Sequence, residues 1–285
     1  MTHLAVAALQ LELNPGDNLD RIEDEVAVVK RRFPWIQLVL LPELAAFGAD
    51  PSKAQPLPGP AEDRFRRMAR DRGFWLVPGS VYERAGDQVF NTTPVIDPGG
   101  EVVLRYRKIY PFTPYEAGIA AGSEPMVFEI PKIGKIGVSI CYDMWFPETT
   151  RTLAWLGAEV ILHPSMTNTI DREVEQAMAR ATAAMNQVWF VDVNIAGDLG
   201  YGGSITCGPG GEVVHRSGPA REIIALDLDL DQVKRVRERG WHGLGQVLKS
   251  FRDGPETYAP YAPGRALSPA FAALGPLEKP RNESA

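Results

Sequence analysis

Residues 137–148 read GVSICYDMWFPE. The run Ile136 to Ile140 is apolar and of strand length, and it stops at Cys141. Pro147 then opens a segment to Leu156 with helical periodicity, and Val160 to His163 is apolar again. Strand, helix and strand in that order predict an α/β unit, and functional groups in such units collect at the carboxyl ends of the strands. A cysteine placed for packing alone needs no such setting. Here a tyrosine, an aspartate, two more aromatics and a Pro-Glu pair follow it directly.

Working outward, Met126 to Ile130 and Ile133 to Ile140 flank a tight turn at Pro131-Lys132. Val89 to Tyr106 holds two β-rich runs around Asp97-Pro98-Gly99-Gly100, a hairpin pattern. Leu4 to Leu11 reads as a strand, and the turn Asn14 to Asp17 offers Asn18 as cap for a helix to Arg32. Ile36 to Leu41, IQLVLL, is a continuous apolar run that stops at Pro42-Glu43, as a strand buried on both faces does. Residues 50–60 hold four prolines and predict a loop before a basic helix, Ala61 to Arg72, and a strand, Phe74 to Tyr82. Past the central stretch come a helix Arg172 to Asn186, whose apolar stripe of Ala177, Met178, Ala181, Ala184 and Met185 reads as core, a strand Val188 to Ile195, a hairpin Ser204 to His215, a strand Ile223 to Leu228 and a helix Gln232 to Arg239. Hairpins interrupt the helix and strand alternation, so the expectation is sheets with helices on their outer faces rather than one doubly wound sheet. Residues 110–125 are irregular. From Gly254 the chain is rich in Pro and Ala without periodicity, which predicts a main domain over 1–253 and a tail over 254–285 lying on the surface or on a partner subunit.

Composition narrows the function. Apolar residues at 45% and charged residues at 23% of 285 suit a soluble globular chain with a sizeable core. Thirty basic against 36 acidic residues give a net charge of -6 with no basic stripe, which speaks against nucleic acid. No apolar stretch approaches the ~20 residues of a membrane span, and the N-terminus lacks a basic leader. Two cysteines, Cys141 and Cys207, make no disulfide framework; a cytoplasmic protein is expected.

The four histidines, His3, His163, His215 and His242, are scattered, so no metal site is readable and no cofactor is expected. P-loop, GxGxxG and GxSxG patterns are absent; the Gly-Gly pairs sit in turns. The thiol of Cys141 is the remaining candidate, with Cys207 read as core. Glu43 ends the strand IQLVLL, Lys108 closes VVLRYRKIY, and Glu116 lies in PFTPYEAG. A Cys141–His163 dyad, for a hydrolase or acyltransferase, is a competing design, since the two strand ends neighbour in a βαβ unit.

Three segments, LLPELAAFG, YRKIYPFTPYEAG and GVSICYDMWFPE, resemble in order and approximate spacing the signature segments of the nitrilase superfamily, the carbon-nitrogen hydrolases. The similarity runs from residue 4 to about residue 230 and takes in WLGAEVILHPS and GGSITCGPGGEVV. The resemblance implies an αββα four-layer sandwich of two mixed β-sheets, a homodimer or higher homo-oligomer, and a Glu-Lys-Cys triad. On this chain the roles fall on Glu43 as general base, Lys108 as electrophilic stabiliser and Cys141 as nucleophile, with Glu116 matching an additional glutamate of the amidase members. The backbone N–H of Tyr142 is expected at the oxyanion. Tyr142-Asp143 follows the nucleophile where nitrilases proper usually have Trp-Glu. Met144 and Trp145 stand where carboxylate-clamping members carry arginine, and Tyr110 where many have histidine. A small neutral carboxamide, with an apolar or aromatic acyl part against Tyr142, Trp145 and Phe146, is the expected substrate; nitrile or N-carbamoyl hydrolysis is the alternative, and a non-catalytic binding protein on this fold a further one.

Free thiol and free glutamic acid lie about 4 pKa units apart, so unassisted proton transfer between them is uphill by roughly 5 to 6 kcal/mol. The expectation is that burial raises Glu43, while Lys108 and the nearby helix start lower Cys141.

Overall fold

In this computed structural model, residues 2–255, 257–264 and 267–279 are described. The chain runs β1 (His3–Gln10), α1 (Leu19–Arg32), β2 (Leu38–Leu40), α2 (Pro60–Arg72), β3 (Trp75–Val77), β4 (Val81–Ala85), β5 (Gln88–Ile96), β6 (Val102–Arg107) and the short β7 (Ile119–Ala120). It continues through β8 (Met126–Ile130), β9 (Gly134–Val138), α3 (Pro147–Trp155), β10 (Val160–Ser165), α4 (Arg172–Asn186) and β11 (Trp189–Asn194). The last elements are β12 (Ile205–Cys207), β13 (Val213–Arg216), β14 (Glu222–Asp229), α5 (Leu230–Arg239), α6 (Val247–Arg252) and α7 (Pro269–Ala272).

Strand periodicity explains the layering. Successive side chains of a strand point to opposite faces, and in β1 Leu4, Val6 and Ala8 enter one core while Ala5, Ala7 and Leu9 enter another. The first set meets Val138, Val160 and Leu162 of β9 and β10 in a core between two sheets. The second packs against Ile22, Val26 and Phe65 of α1 and α2. On the far side Ile161 and Phe190 meet Leu153, Ala179 and Ala183 of α3 and α4. The result is the four-layer αββα sandwich. One sheet runs β14-β1-β2-β3-β5-β4, with β6 and β7 also on β5, and the other β13-β12-β11-β10-β9-β8. Both are mixed: β1 pairs parallel with β2 but antiparallel with β14. Each buried Leu, Ile or Val in these layers contributes about 1.5 to 3 kcal/mol.

Four expectations are corrected. Phe74 to Tyr82 is two strands, β3 and β4, both antiparallel to β5, because Pro78-Gly79-Ser80 interrupts the ladder without changing the chain's direction; Gly79 has φ +73° and a Cβ there would stand 1.7 Å from the Pro42 carbonyl oxygen. Asn18 occupies the cap position of α1 without capping it. Its amide instead donates to the carbonyls of Asn14, Gly16 and Ala45, tying the first turn to the loop after Glu43. Within the irregular segment β7 adds a parallel strand to β5. On α4 the residues Ala177, Ala181 and Met185 face outward, and the core takes Ala179, Thr182 and Ala183 instead.

The described part of the tail is largely exposed. Tyr261 donates its hydroxyl to the Glu148 carboxylate, and the Lys279 ammonium stands 5.1 Å over the Tyr115 ring. Among the described residues no helix is long and apolar enough to cross a membrane.

Candidate active site

Glu43 follows β2, Lys108 follows β6 and Cys141 follows β9, so the carboxyl ends of strands from both sheets deliver them to one place. A cross-sheet bond joins the two halves, from the Glu43 N–H to the Ser165 carbonyl at 3.3 Å. Backbone geometry turns the side chains inward. Cys141 has φ 45° and Leu44, next to Glu43, has φ 51°. Positive φ costs a non-glycine residue about 1 to 2 kcal/mol and is held by surrounding structure.

Asp143 supplies much of that hold. It is fully buried in the short 3-10 turn Cys141–Trp145. Its Oδ2 accepts from the Tyr106 hydroxyl at 2.6 Å and the Ile140 N–H at 2.9 Å; its Oδ1 accepts from the N–H groups of Ile109 at 3.1 Å and Tyr110 at 2.9 Å. One carboxylate thus locks the cysteine turn to the segment carrying Lys108.

The Lys108 ammonium, itself 2% exposed, donates to Glu43 Oε1 at 2.8 Å and Glu116 Oε2 at 2.7 Å. Asn91 Nδ2 bridges the same carboxylates, at 2.8 Å to Glu43 and 3.2 Å to Glu116. Tyr82 donates to Glu116 Oε1 at 3.3 Å, and the Phe112 N–H donates to Glu116 Oε2 at 2.6 Å. The Cys141 sulfur lies 3.9 Å from Thr167 Oγ1.

These partners separate the two carboxyls. Burial pushes Glu43 above the usual range, and the Glu116 charge adds to this against the pull of Lys108. Burial also works to raise Glu116, but the Lys108 ammonium and the Phe112 and Asn91 donors bring it below that range. Lys108 is opposed by burial, yet Glu43, Cys141 and Glu116 hold it well above its ordinary value. The thiol departs from expectation: burial and the Glu43 charge raise Cys141 well above normal, and Lys108 only partly offsets them. Cys141 therefore rests as a thiol.

Cys141, Glu43, Lys108 and Glu116 border one cavity of about 450 Å³, with Tyr142 and Trp145 on its wall. His163 is not among the lining residues. On β10 it follows the parity of Ile161, packs on Phe190 with ring centroids 5.1 Å apart, and pairs through Nδ1 with Ser139 Oγ at 2.7 Å. Burial lowers it to about 4. Cys141 packs instead on the core between the sheets, so a Cys-His dyad has no support in the geometry. Phe146 stacks on Tyr110 at 3.5 Å between centroids and does not line the cavity.

The carbon-nitrogen hydrolase family model matches residues 4–238. The chain belongs to the carbon-nitrogen hydrolase family. Relatives of this hydrolase include an omega-amidase NIT2 of Xenopus tropicalis, 29% identical over 222 residues that span 71% of this chain and 80% of the relative. Omega-amidase NIT2 of Homo sapiens is 26% identical over 84% of this chain and 93% of its own length. Among solved structures, Nit3 of Saccharomyces cerevisiae, a member of branch 10 of the nitrilase superfamily, superposes with TM-score 0.77 at 28% identity, covering 83% of this chain and 94% of that one. A Glu-to-Gln variant of the amidase from Nesterenkonia sp. AN1, bearing the acetamide moiety of fluoroacetamide on its active-site cysteine, superposes with TM-score 0.74 at 28% identity over 81% of this chain and 92% of that chain. The hydrolase is of amidase type.

Several polar residues that build the site had no role assigned from the sequence: Asn91, Tyr82, Asp143, Thr167 and Glu175. Their signal was faint but present, a polar side chain inside or just after an otherwise apolar run. Among the described residues no cluster of His, Cys, Asp and Glu is arranged to hold a metal ion.

Proposed function

We propose that this hydrolase cleaves a small carboxamide with an apolar stem, through a thioester on Cys141, releasing ammonia or an amine. The reading is carried by the Lys108 ammonium bound between two carboxyls displaced in opposite directions beside a cavity thiol. Pairs of titratable groups pushed apart by their surroundings mark acid and base roles. Glu43, raised, is the proton carrier; Glu116, lowered, stays charged and holds Lys108 in place.

Glu43 takes the Cys141 proton as sulfur attacks the amide carbonyl, so charge separation arises only in the presence of substrate. The oxyanion forms beside Lys108 Nζ and the Tyr142 backbone N–H; loss of one such donor typically costs about 3 to 4 kcal/mol of barrier. Glu43 returns its proton to the departing nitrogen, then deprotonates the water that opens the thioester. Tyr142 and Trp145 give the acyl stem an aromatic wall.

Intact-mass measurement on enzyme mixed with panels of amides, nitriles and N-carbamoyl compounds tests the reading. The expected result is an acyl adduct on Cys141 from amides, absent in Cys141→Ala and accumulating in Glu43→Gln. Adducts from nitriles or carbamoyl compounds with none from amides would refute it.

The same reading includes a homodimer. Trp155, Val174 and Met185, on α3 and α4, are 65%, 48% and 45% exposed, a quantity of apolar surface that suits an interface. Light scattering at increasing concentration should give twice the chain mass, and a monomer throughout would exclude it.

A further inference from the structure

The cavity that holds Glu43 is lined by a second acidic group. Glu175 and Asp171, at the start of α4, line it. Glu175 is 3% exposed; its Oε1 accepts from Thr167 Oγ1 at 3.1 Å, and that hydroxyl lies 3.9 Å from Cys141 Sγ. Asp171 Oδ2 accepts from Thr169 Oγ1 at 2.8 Å.

Arg172, the neighbouring cation, serves other partners. It donates to Glu175 Oε2 at 3.0 Å, to Asp192, and to the carbonyls of Gly202 at 3.2 Å and Gly203 at 2.9 Å. Two carboxylates share one guanidinium, which leaves the cluster with excess negative charge. The partial positive charge at the α4 N-terminus, which would draw an anion, is met by carboxylates at Asp171, Glu173 and Glu175. Among the described lining side chains the one cation is Lys108, and both catalytic carboxyls already engage it. A substrate carboxylate would therefore enter this cavity without a partner. An ammonium would meet carboxylates and the rings of Tyr142 and Trp145, where a cation is attracted to the ring quadrupole, while the Tyr115 ring already carries the Lys279 ammonium.

The nucleophile fixes where the amide end sits, independently of the acidic group. We infer that the cavity selects carboxamides whose acyl stem ends in an ammonium group, held by Glu175, Asp171 and the aromatic wall, and rejects those ending in a carboxylate. This rests on the amidase reading above and replaces the expectation of a wholly neutral acyl group. Glu175 and Asp171 are specificity residues that leave the bond-breaking step to the triad.

The test uses three amides of similar length: γ-aminobutyramide, valeramide and glutaramate. Expected kcat/KM values fall in that order, with the cationic amide preferred over the anionic one by about a hundredfold and each of Glu175→Gln and Asp171→Asn narrowing that ratio by about tenfold. Asp171 is half-buried and pairs only locally, so its variant keeps the test open if Glu175→Gln, which frees a buried arginine, fails to fold. Calorimetric titration of the same amides into Cys141→Ala separates selection from chemistry. Hydrolysis of none of them by the wild type, with the cationic amide still bound preferentially by Cys141→Ala, would sink the amidase reading and keep charge selection. Turnover of glutaramate at least as fast as γ-aminobutyramide, or no affinity difference in Cys141→Ala, overturns charge selection alone.

Discussion

Replacing Glu116 by Gln isolates one charge. Glu43 Oε1 and Glu116 Oε2 lie 2.8 and 2.7 Å from the same Lys108 nitrogen, so these oxygens are at most roughly 5.5 Å apart. At an effective dielectric of about 20, two unit charges at that separation repel by about 3 kcal/mol. That repulsion helps to hold the Glu43 proton on. Without it the ammonium of Lys108 attends Glu43 alone, and Glu43 gives up its proton at lower pH. The acid limb of the kcat/KM profile, which reports the free enzyme's base, should therefore move to lower pH in Glu116→Gln. A weaker base also removes the thiol proton less well, so the plateau should fall by about ten- to a hundredfold. Stopped assays of ammonia release across the acid limb, on both proteins, read the two effects together. An acid limb that stays in place or moves to higher pH would refute the electrostatic coupling, whatever happens to the plateau.

The other predictions follow from named contacts. Glu43→Gln removes the charge that raises Cys141, so iodoacetamide should alkylate the thiol faster at mildly alkaline pH while turnover drops by about a thousandfold; slower alkylation would contradict the assigned cause. Asp143→Asn leaves two of four inward donors facing an amide nitrogen, for a loss of about 2 to 4 kcal/mol measured as a lower urea midpoint, with activity falling further than stability because both loops shift. His163, ordinarily 6.5 and lowered to about 4, is protonated first in the unfolded chain as pH falls. Its contribution is present above pH 6.5 and lost on the way down to pH 4, about 3 kcal/mol in all, so the difference in urea midpoint between pH 7 and pH 4.5 should shrink in His163→Gln.

Layering was legible because it is written in period two. In β1 and in IQLVLL both parities are apolar, which only a sheet covered on both faces requires. Glu43 and Cys141 were legible because each interrupts such a run at its carboxyl end, and Lys108 because it closes the strand Val102–Arg107. Asn91 was not, since within β5, next to Thr92 and Thr93, a polar residue has the same appearance whether it faces solvent or bridges two carboxylates. Gly79 hid a break between two strands of the same direction, which its approach to the Pro42 carbonyl explains. The thiol was misjudged because a short 3-10 turn and one lysine were weighed against no burial at all. In place, burial and the carboxylate beside it outweigh them. On α4, the apolar stripe and the core-facing stripe differ by about one residue's rotation, and tertiary packing decided between them.

The pairing of β14 with β1 reaches beyond architecture. Its register runs from His3↔Asp229 to Gln10↔Glu222, so the sheet that supplies Glu43 and Lys108 gains its last strand only after residue 229 has been made. A nascent chain thus keeps that edge of β1 unpaired until β14 has emerged. An open strand edge invites wrong partners, so the first strand to be made must wait for one of the last before its pairing is complete.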